Sequence, residues 1–424
     1  METTVGERAR ALLARIAGLD AQLRCYVAID EDAVRREADR LDALSPDARG
    51  PLHGLALAVK DIIDVAGLPT RAGSSFFRRD PQHDAPAVAT LRRAGALIVG
   101  KTNTHEFAWG ITTDNPHFGR TANPWDPARV AGGSSGGSGA AVAARLADIA
   151  LGTDTLGSIR IPSALCGVCG IRPATGALPI EGIFPLALGL DTVGPFARDL
   201  AGVQRVYDVL AGAPSGDASV TRACRLRGGG WERVDATVGG ALDDAVATLR
   251  ACGVAVDDVE WWDDELAGAV AVIQQRAAAV THAPFFPERS AEYGEDVRAR
   301  VARALTVDED AERTARAVVV RSRARWDHAT STYAVALAPC VGAEAPRAPA
   351  PPSFRDETMP LVTPASAFGL PAAAAPIGFG PNGLPLGMQL IAVDGDPAGA
   401  FALGRAYQRV TDWHRRSPAL AQAR

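Results

Sequence analysis

The sequence predicts an α/β fold in which strands and helices alternate around one sheet. Two apolar runs of strand length, residues 55–59 and 96–99, are separated by a segment around 85–95 whose apolar residues recur at helical spacing. Apolar segments punctuated by Gly and Pro return after residue 358, as expected for strands that rejoin the same sheet. With 424 residues, 47% of them hydrophobic and 22% charged, the chain is long enough to bury a large core.

The order of these patterns divides the chain into three segments. Residues 1–212 begin with amphipathic helices within 5–45 and continue through the strands and glycine-rich turns of the core. Residues 213–357 are acidic and arginine-rich with helical periods and end in a proline-rich stretch, which predicts a helical insert or cap. Residues 358–424 return to the core sheet and finish with an amphipathic helix over 398–413.

Composition argues against several classes of protein. The net charge is −5 and no basic run is present, whereas proteins that follow a nucleic-acid backbone need concentrated Lys and Arg. No stretch approaches the ~18 apolar residues of a membrane span, and the charged N-terminal segment lacks the apolar core of a signal peptide. Six scattered cysteines are too sparse for a disulfide scaffold. We therefore expect a cytoplasmic protein that binds neither nucleic acid nor membrane.

Lysine usage singles out two positions. Only two of the 44 basic residues are lysines, Lys60 and Lys101, and each follows a predicted strand. Ligands of open α/β sheets gather beyond the carboxyl ends of strands. Arg cannot release its proton in a protein, whereas a buried Lys can act as a base. A lysine kept at such a strand end indicates either a proton acceptor or a structural hydrogen-bond donor.

The glycine-rich segment 131–139 permits three interpretations. A phosphate-binding P-loop would end in Gly-Lys-Ser/Thr, and no Lys is present. Residues 133–137 fit the G-x-S-x-G nucleophile elbow with Ser135 as nucleophile, which would require a later Asp and His. Three later histidines have no suggestive sequence context: His282, His328 and His414. The third interpretation depends on a second serine-bearing turn at 153–167.

Six short segments, taken in order, resemble the amidase signature family. They read VKD at 59–61, GKTN at 100–103, GGSSGGS at 132–138, GTDTLGSIRIP at 152–162, CG at 166–167 and GIRP at 170–173. The resemblance is strong over 50–210, fair over 358–413 and weak through 213–350. It implies a single large domain with a central mixed sheet flanked by helices, interrupted by the helical insert.

The resemblance also implies catalytic roles for three residues. Ser158 would be the nucleophile, Ser134 a bridging serine that follows a cis peptide bond, and Lys60 the base. These roles are chemically coherent, because a serine hydroxyl is a poor nucleophile until a base takes its proton. A neutral Lys60, with its pKa lowered by burial, would draw that proton through Ser134. Ser134 would then return a proton to the leaving nitrogen.

An oxyanion hole is expected on the turn that carries the nucleophile. Its donors would be the backbone N–H groups of Thr155, Leu156, Gly157 and Ser158. Leu156 departs from the family pattern, which most often has Gly there. A Leu would be strained if the position required a positive φ, and its bulk would narrow the acyl pocket.

Substrate contacts are expected from the loop after Lys101, which borders the cleft in relatives. Phe107 and Trp109 are candidates, with core packing as the equal alternative, and Gly133, next to the bridging serine, is a further candidate for substrate contact. Lys101 itself is expected to be a structural hydrogen-bond donor.

Four further features are expected to be structural. Ser135, Asp154 and Arg160 would support the loops. Cys166 and Cys169 form a CxxC pair that is expected to lie in the core, since no second pair accompanies it.

The leading hypothesis for function is hydrolysis of a small carboxylic amide to a carboxylate and ammonia or an amine, through a Ser158 acyl-enzyme and without metal or cofactor. One alternative keeps this site for ester or carbamate hydrolysis or for acyl transfer. Another, from a different class, is a component of an amidotransferase that delivers ammonia to a partner. A monomer or homodimer acting on a small-molecule amide is the expected assembly.

Overall fold

A computed structural model describes residues 3–216 and 218–422 and contains one eleven-stranded mixed sheet. The strands are β1 (Tyr26–Ala28), β2 (Ala56–Lys60), β3 (Leu97–Thr102), β4 (Ile149–Asp154), β5 (Cys169–Arg172), β6 (Thr192–Ala197), β7 (Arg222–Arg227), β8 (Ala255–Glu260), β9 (Val335–Pro339), β10 (Ala372–Phe379) and β11 (Pro385–Ala392). Their order across the sheet is β1-β3-β2-β4-β6-β5-β10-β11-β9-β7-β8. Strand β2 is parallel to β3 and β4, and β7 is parallel to β8 and β9, whereas the other pairs are antiparallel. The expected α/β class with a mixed sheet is confirmed.

Helices pack around the sheet. They are α1 (Val5–Leu23), α2 (Glu31–Asp42), α3 (Pro86–Arg93), α4 (Gly136–Ala143), α5 (Arg160–Cys166), α6 (Leu200–Ala211), α7 (Ala236–Ala251), α8 (Leu266–His282), α9 (Phe286–Arg289), α10 (Glu295–Ala304), α11 (Glu309–Thr330), α12 (Pro352–Ala367), α13 (Pro397–Val410) and α14 (Ala419–Gln422). Within the described residues, no helix is long and apolar enough to cross a membrane.

Strand β2 shows why the central strands read as continuous apolar runs. Successive side chains of a strand point to opposite faces of its sheet. Leu57 and Val59 join one hydrophobic cluster, whereas Ala56 and Ala58 join another on the opposite face. Helices cover both faces of the sheet, so the side chains on both faces are apolar. The sequence of the strand therefore does not alternate between apolar and polar residues.

The parallel pairing of β2 and β4 positions the catalytic candidates. Val59 lies opposite Leu151 in the register, so the carboxyl ends of the two strands meet at one edge of the sheet. Lys60 is the last residue of β2, and Thr153 and Asp154 end β4. Lys60 and Thr153, which lie 93 residues apart in sequence, are thereby brought together.

The expectation that 213–357 is a helical insert is incomplete. The segment does contain α7 to α11, but it also adds β7, β8 and β9 to one end of the sheet. The strands were missed because β8 carries acidic side chains that look like a solvated helix face. Arg225 of β7 binds Asp258 of β8 directly opposite, through two contacts of 2.7 Å. Such cross-strand charge pairs let a polar strand close a sheet edge.

Candidate active site

Lys60 is fully buried at the end of β2 and points into a shell of hydroxyl groups. Its Nζ lies 2.6 Å from Ser134 Oγ and 2.8 Å from Thr153 Oγ1. Burial lowers the pKa of Lys60 to about 7, and the negative charges of Asp191 and Asp154 oppose a larger fall. A substantial fraction of the amine is therefore neutral near pH 7 and able to accept a proton from Ser134.

The peptide bond between Gly133 and Ser134 is cis, as the resemblance implied. The Ser134 carbonyl accepts hydrogen bonds from the backbone N–H of His105 (3.1 Å) and from the hydroxyl groups of Thr104 (3.0 Å) and Thr113 (3.2 Å). These three donors fix the backbone on one side of the serine, while Lys60 engages its hydroxyl on the other.

Gly133 is required by packing. A Cβ at this position would lie 2.7 Å from the backbone nitrogen of Thr112 and 2.8 Å from that of Thr113. Backbone atoms cannot shift as a flexible side chain does, so any larger residue would push the 111–113 segment away from the bridging serine. Its expected contact with a substrate stays a prediction.

Ser158 sits just before helix α5 and is 5% exposed. Its carbonyl accepts a bond of 3.3 Å from the Ser135 N–H, which ties the two serine-bearing turns together. In the part of the chain that the structure describes, no hydrogen bond joins the hydroxyl groups of Ser134 and Ser158. The structure thus contains the Lys60–Ser134 link and places Ser158 on the adjoining turn.

The turn from Asp154 to Ser158 carries the backbone N–H groups expected to form the oxyanion hole. Among the described residues, most of these groups donate no hydrogen bond to the protein. The Gly157 N–H is already committed, because it donates to Asp154 Oδ1 at 2.7 Å. Across residues 3–216 and 218–422, the N–H groups of Thr155, Leu156 and Ser158 have no protein acceptor. Three of the four expected donors thus remain available to a ligand.

Leu156 does not carry the strain that a positive φ would cause, since the left-handed position of the turn is Gly157, at φ +95°. The Leu156 side chain is 4% exposed and belongs to a hydrophobic cluster that includes Ala187, Leu190 and Leu361. It serves the core at this point, and contact with an acyl group stays a prediction.

A buried ionic network supports the turn from Asp154 to Ser158, called the nucleophile turn after the role expected for Ser158. Asp154 accepts bonds from Arg160 at 3.1 Å and pairs with Arg172 at 3.4 Å, and all three side chains have no exposed surface. Burial disfavours the Asp154 carboxylate, but the two guanidinium groups outweigh it and hold the pKa of Asp154 below its usual range. Arg160 also reaches helix α12 through the carbonyl of Val362 at 2.8 Å. The supporting role expected for Asp154 and Arg160 agrees with these contacts.

Three residues that sequence reasoning did not assign join the site. Thr153 contacts Lys60, and Arg172 Nη1 donates to the carbonyls of Asp154, Thr155 and Leu190. Asp191 accepts from the Thr155 hydroxyl at 2.6 Å and from two backbone N–H groups at 2.9 Å. Asp191 immediately precedes strand β6, beside β4, and only the antiparallel pairing of these strands reveals its proximity to the site.

Lys101 is held as a structural cation. Its Nζ lies 3.2 Å from Asp61 and 2.9 Å from Thr70 Oγ1, and the side chain is fully buried. Ser135 Oγ donates to the Thr153 carbonyl at 3.1 Å and is likewise buried, which argues against the nucleophile-elbow interpretation. Cys166 and Cys169 are free, buried thiols whose pKa values are raised by burial, in line with core positions.

Phe107 and Trp109 pack in the hydrophobic core. Phe107 is fully buried, with its ring centroid 5.1 Å from that of Phe184 and 4.9 Å from that of His282. Trp109 is 3% exposed and stacks on His282 at 6.0 Å. The structure thus matches the core alternative, and a substrate contact for either ring stays a prediction.

Comparison with known proteins identifies the family of this chain. The amidase family model matches residues 7–398. The chain is 35% identical to one of the subunits of glutamyl-tRNA(Gln) amidotransferase from Roseiflexus sp. (strain RS-1), covering 99% of this chain and 96% of that relative. It is 34% identical to AtzE, a 1-carboxybiuret hydrolase component of Pseudomonas sp. (strain ADP), covering 93% of each. A solved amidase structure superposes with a TM-score of 0.91 at 32% identity over 96% of both chains. The chain belongs to the amidase family, that is, the amidase signature enzymes.

Proposed function

We propose that this protein is an amidohydrolase that cleaves a small carboxylic amide to a carboxylate and ammonia or an amine. The observation that carries the proposal is the Lys60–Ser134 contact of 2.6 Å, made by a lysine whose pKa burial lowers to about 7. A base with a pKa near the working pH combines a high neutral fraction with sufficient basicity. The hydroxyl that Lys60 activates is that of Ser134. It lies in the glycine-rich segment 132–138, which resembles part of the family's defining segment.

The reaction begins when Ser158 Oγ attacks the amide carbonyl carbon. The Ser158 proton passes to Ser134 while the Ser134 proton passes to Lys60 Nζ, so the relay moves one positive charge onto the lysine. The substrate complex must bring the hydroxyl groups of Ser158 and Ser134 within hydrogen-bond distance. The carbonyl oxygen becomes an oxyanion near the free N–H groups of Thr155, Leu156 and Ser158, each of which is worth about 2.7–4 kcal/mol in such sites.

Collapse of the tetrahedral intermediate breaks the C–N bond. Lys60 returns its proton through Ser134 to the nitrogen, which then leaves as ammonia or an amine rather than as an anion. Water then attacks the Ser158 ester while its proton passes through Ser134 to Lys60. The proton returns by the same path to Ser158 Oγ as the ester C–O bond breaks and the carboxylate leaves. The same acyl-enzyme would also serve an ester, a carbamate or an accepting amine.

Active-site labelling tests the assignment. A fluorophosphonate probe followed by peptide mapping should place the adduct on Ser158, and Ser158→Ala should abolish both labelling and turnover while leaving the melting temperature unchanged. An adduct on Ser135 would overturn the assignment. A screen of primary amides, anilides, esters and carbamates with mass analysis of the products then separates the amidase from the alternatives that use the same site.

A second candidate is ammonia delivery within an amidotransferase. The similarity to a component of such an enzyme, which extends along 99% of this chain, favours it. The two candidates differ in assembly, because the leading one requires a monomer or homodimer in the cytoplasm that turns over amides by itself. Sedimentation and activity of the purified chain alone distinguish them. Turnover that appears only with copurifying partner chains would favour the amidotransferase.

A further inference from the structure

A cavity of about 800 Å³ opens beside the bridging serine. Its walls come from the loop over 105–116, from helix α10 and from the segment 349–356, which leads into helix α12. The volume lies within the range of small-molecule sites, about 300–1,000 Å³.

Two connections join this cavity to the catalytic residues. Ile111 and Thr112 line it, and the backbone of these same residues packs against Gly133, one position before Ser134. Helix α12 makes the second connection, because Arg355 lines the cavity while Val362 packs beside Gly157 on the nucleophile turn. They lie seven positions apart along the helix, or roughly 10 Å at 1.5 Å per residue.

Arg355 is a charged residue of this cavity that makes no direct polar contact. Its side chain is partly buried, and the structure gives it no hydrogen bond or ion pair with any residue in 3–216 or 218–422. Burial and then the positive charge of Arg300 lower the pKa of Arg355 to about 10, against the opposing negative charges of Asp356 and Asp296, and the group stays charged near pH 7. A partly desolvated guanidinium that makes no hydrogen bond is unfavourable, and a bound carboxylate would satisfy its planar fork of donors.

The other charged groups of the cavity are either paired or exposed. Arg300 donates to the Trp109 carbonyl at 2.7 Å and lies 3.4 Å from Asp296, which also accepts from His105 at 2.9 Å. Three more carboxylates, all exposed to solvent, line the rim: Asp114, Glu295 and Asp356. With four carboxylates against two guanidinium groups, this lining disfavours a diffuse anion site, so an anion is favoured only where it contacts the guanidinium of Arg355 directly.

We infer that Arg355 binds a carboxylate of the substrate, so that the preferred substrates are amides that carry a free carboxylate on a short spacer from the scissile bond. This inference rests on the proposed amidohydrolase function. The cavity beside Ser134 holds the spacer, and the distance along α12 sets its length. The carboxylate lowers KM through Arg355, while the chemical steps at Ser158 are unchanged.

Matched substrate pairs provide the test. Succinamate, glutaramate and adipamate are compared with the corresponding neutral diamides by kcat/KM. The wild type should favour at least one carboxylate over its diamide by roughly 10-fold or more. Arg355→Gln should reduce kcat/KM for that carboxylate roughly 10- to 100-fold through KM and leave the diamide within about twofold. Because Arg355 makes no hydrogen bond or ion pair among the described residues, its removal should leave the melting temperature nearly unchanged.

Two control variants separate a contact from the general field of the protein. Arg303→Gln removes an exposed charge from the same helix as Arg300 without touching the cavity lining, and it should leave the preference intact. Arg355→Lys keeps the charge but loses the forked geometry, so it should retain part of the preference. An equal loss in Arg303→Gln would assign the effect to long-range electrostatics and overturn the subsite.

A binding measurement gives a result that does not depend on turnover. Calorimetry should show glutarate binding to the wild type roughly tenfold or more tightly than to Arg355→Gln. Equal affinities, or no saturable binding, would overturn the subsite. If neutral amides are hydrolysed through Ser158 with no carboxylate preference, the subsite is wrong and the amidohydrolase proposal stands. If glutarate binds through Arg355 but no amide is hydrolysed, the proposed function fails instead.

Discussion

The two lysines of the chain are both fully buried, but their surroundings differ in charge. Lys101 has a carboxylate at 3.2 Å, which supports its ammonium form against the burial that lowers its pKa. Lys60 contacts only neutral hydroxyl groups at hydrogen-bond distance, and burial lowers its pKa to about 7. At the residue scale, this difference in partner supports the prediction that Lys101 is structural and that Lys60 transfers protons.

Substituting each lysine with Arg tests this division. Lys60→Arg should reduce kcat by about 10²–10⁴, nearly as far as Lys60→Ala, because Arg cannot accept the Ser134 proton. Lys101→Arg keeps the ion pair with Asp61 and should have a smaller effect on kcat. Steady-state kinetics on any amide substrate provide the measurement. Near wild-type activity in Lys60→Arg would show that Lys60 is only a structural cation.

The pH profile should report Lys60 and its neighbour Asp191. In the wild type, kcat/KM should rise with pH through about 7 as Lys60 loses its proton. The negative charge of Asp191 favours the ammonium form, so Asp191→Asn should lower the pKa of Lys60 and move the acid limb to lower pH. Thr155→Val leaves the Asp191 carboxyl in place but removes the 2.6 Å bond that lowers the pKa of this carboxyl. That variant should move the limb less than Asp191→Asn does, whereas an unmoved limb in Asp191→Asn would contradict the assignment.

Leu156 offers a test of pocket shape. Leu156→Ala removes a buried side chain and should cost about 2–5 kcal/mol of unfolding free energy. If the Leu156 side chain also borders the acyl group, the variant should gain kcat/KM for bulky acyl amides relative to small ones. A uniform fall across an acyl series of increasing size would assign the side chain to the core alone.

At the scale of elements, the nucleophile turn is held between strand β4 and helix α12. Asp154 accepts from the turn at Gly157, and Arg160 extends the same network to the Val362 carbonyl. The geometry of the turn therefore depends on a helix far along the chain, as the 202-residue separation of Arg160 and Val362 shows. The pattern of glycines and serines predicted the turn, but the pairing with α12 is a property of the folded chain.

Gly157→Ala should disturb this arrangement in two ways. The position has φ +95°, where a residue with a Cβ is strained by roughly 1–2 kcal/mol. The new Cβ would also lie 2.7 Å from Val362 Cγ2, and such overpacking typically costs about 1–3 kcal/mol more. Gly253→Ala is the matched control, with φ +88° and nothing within 4 Å. Thermal unfolding should show the larger loss of stability in Gly157→Ala. Equal losses in the two variants would show that contact with Val362 adds nothing to the effect of the positive φ.

At the scale of the whole molecule, the segment 213–357 completes the sheet. Strand β9 lies between β11 and β7, so the segment covers the backbone edge of β11 over five registered pairs. An edge exposed in this way is a template for aggregation. The division into segments at 212 and 357 stays a prediction, but the sheet order argues against a cap that folds separately.

Excision of the segment tests this dependence. A variant in which a Gly/Ser linker replaces residues 213–357 should be insoluble or should lack a cooperative unfolding transition, because β11 loses its partner strand and helix α12 loses its first turns. The readout is soluble yield together with calorimetry of any soluble fraction. A monomeric variant that unfolds cooperatively would establish the segment as an independent insert.

The sequence was sufficient for the class of the fold and for placing Lys60 next to Ser134, because local motifs carry both residues; the catalytic roles of Lys60, Ser134 and Ser158 stay predictions. It did not identify Asp191, Thr153 or Arg172 as members of the site, because their proximity comes from strand pairing between distant segments. The strands β7 and β8 were missed for a related reason. The charged side chains of each strand are paired with those of the neighbouring strand, as in Arg225 and Asp258. The sequence of either strand alone therefore shows no apolar face that would indicate a strand.

The burial of both lysines has a practical consequence for handling the protein. Neither Lys60 nor Lys101 has any exposed surface, so the folded chain presents no side-chain amine to solvent. Succinimidyl esters and amine-coupled sensor surfaces react chiefly with such groups. They will therefore react poorly with the side chains of the native protein, and immobilisation is better directed to the exposed thiol of Cys252. The rate at which an amine-reactive reagent labels Lys60 and Lys101 therefore measures how often the core opens.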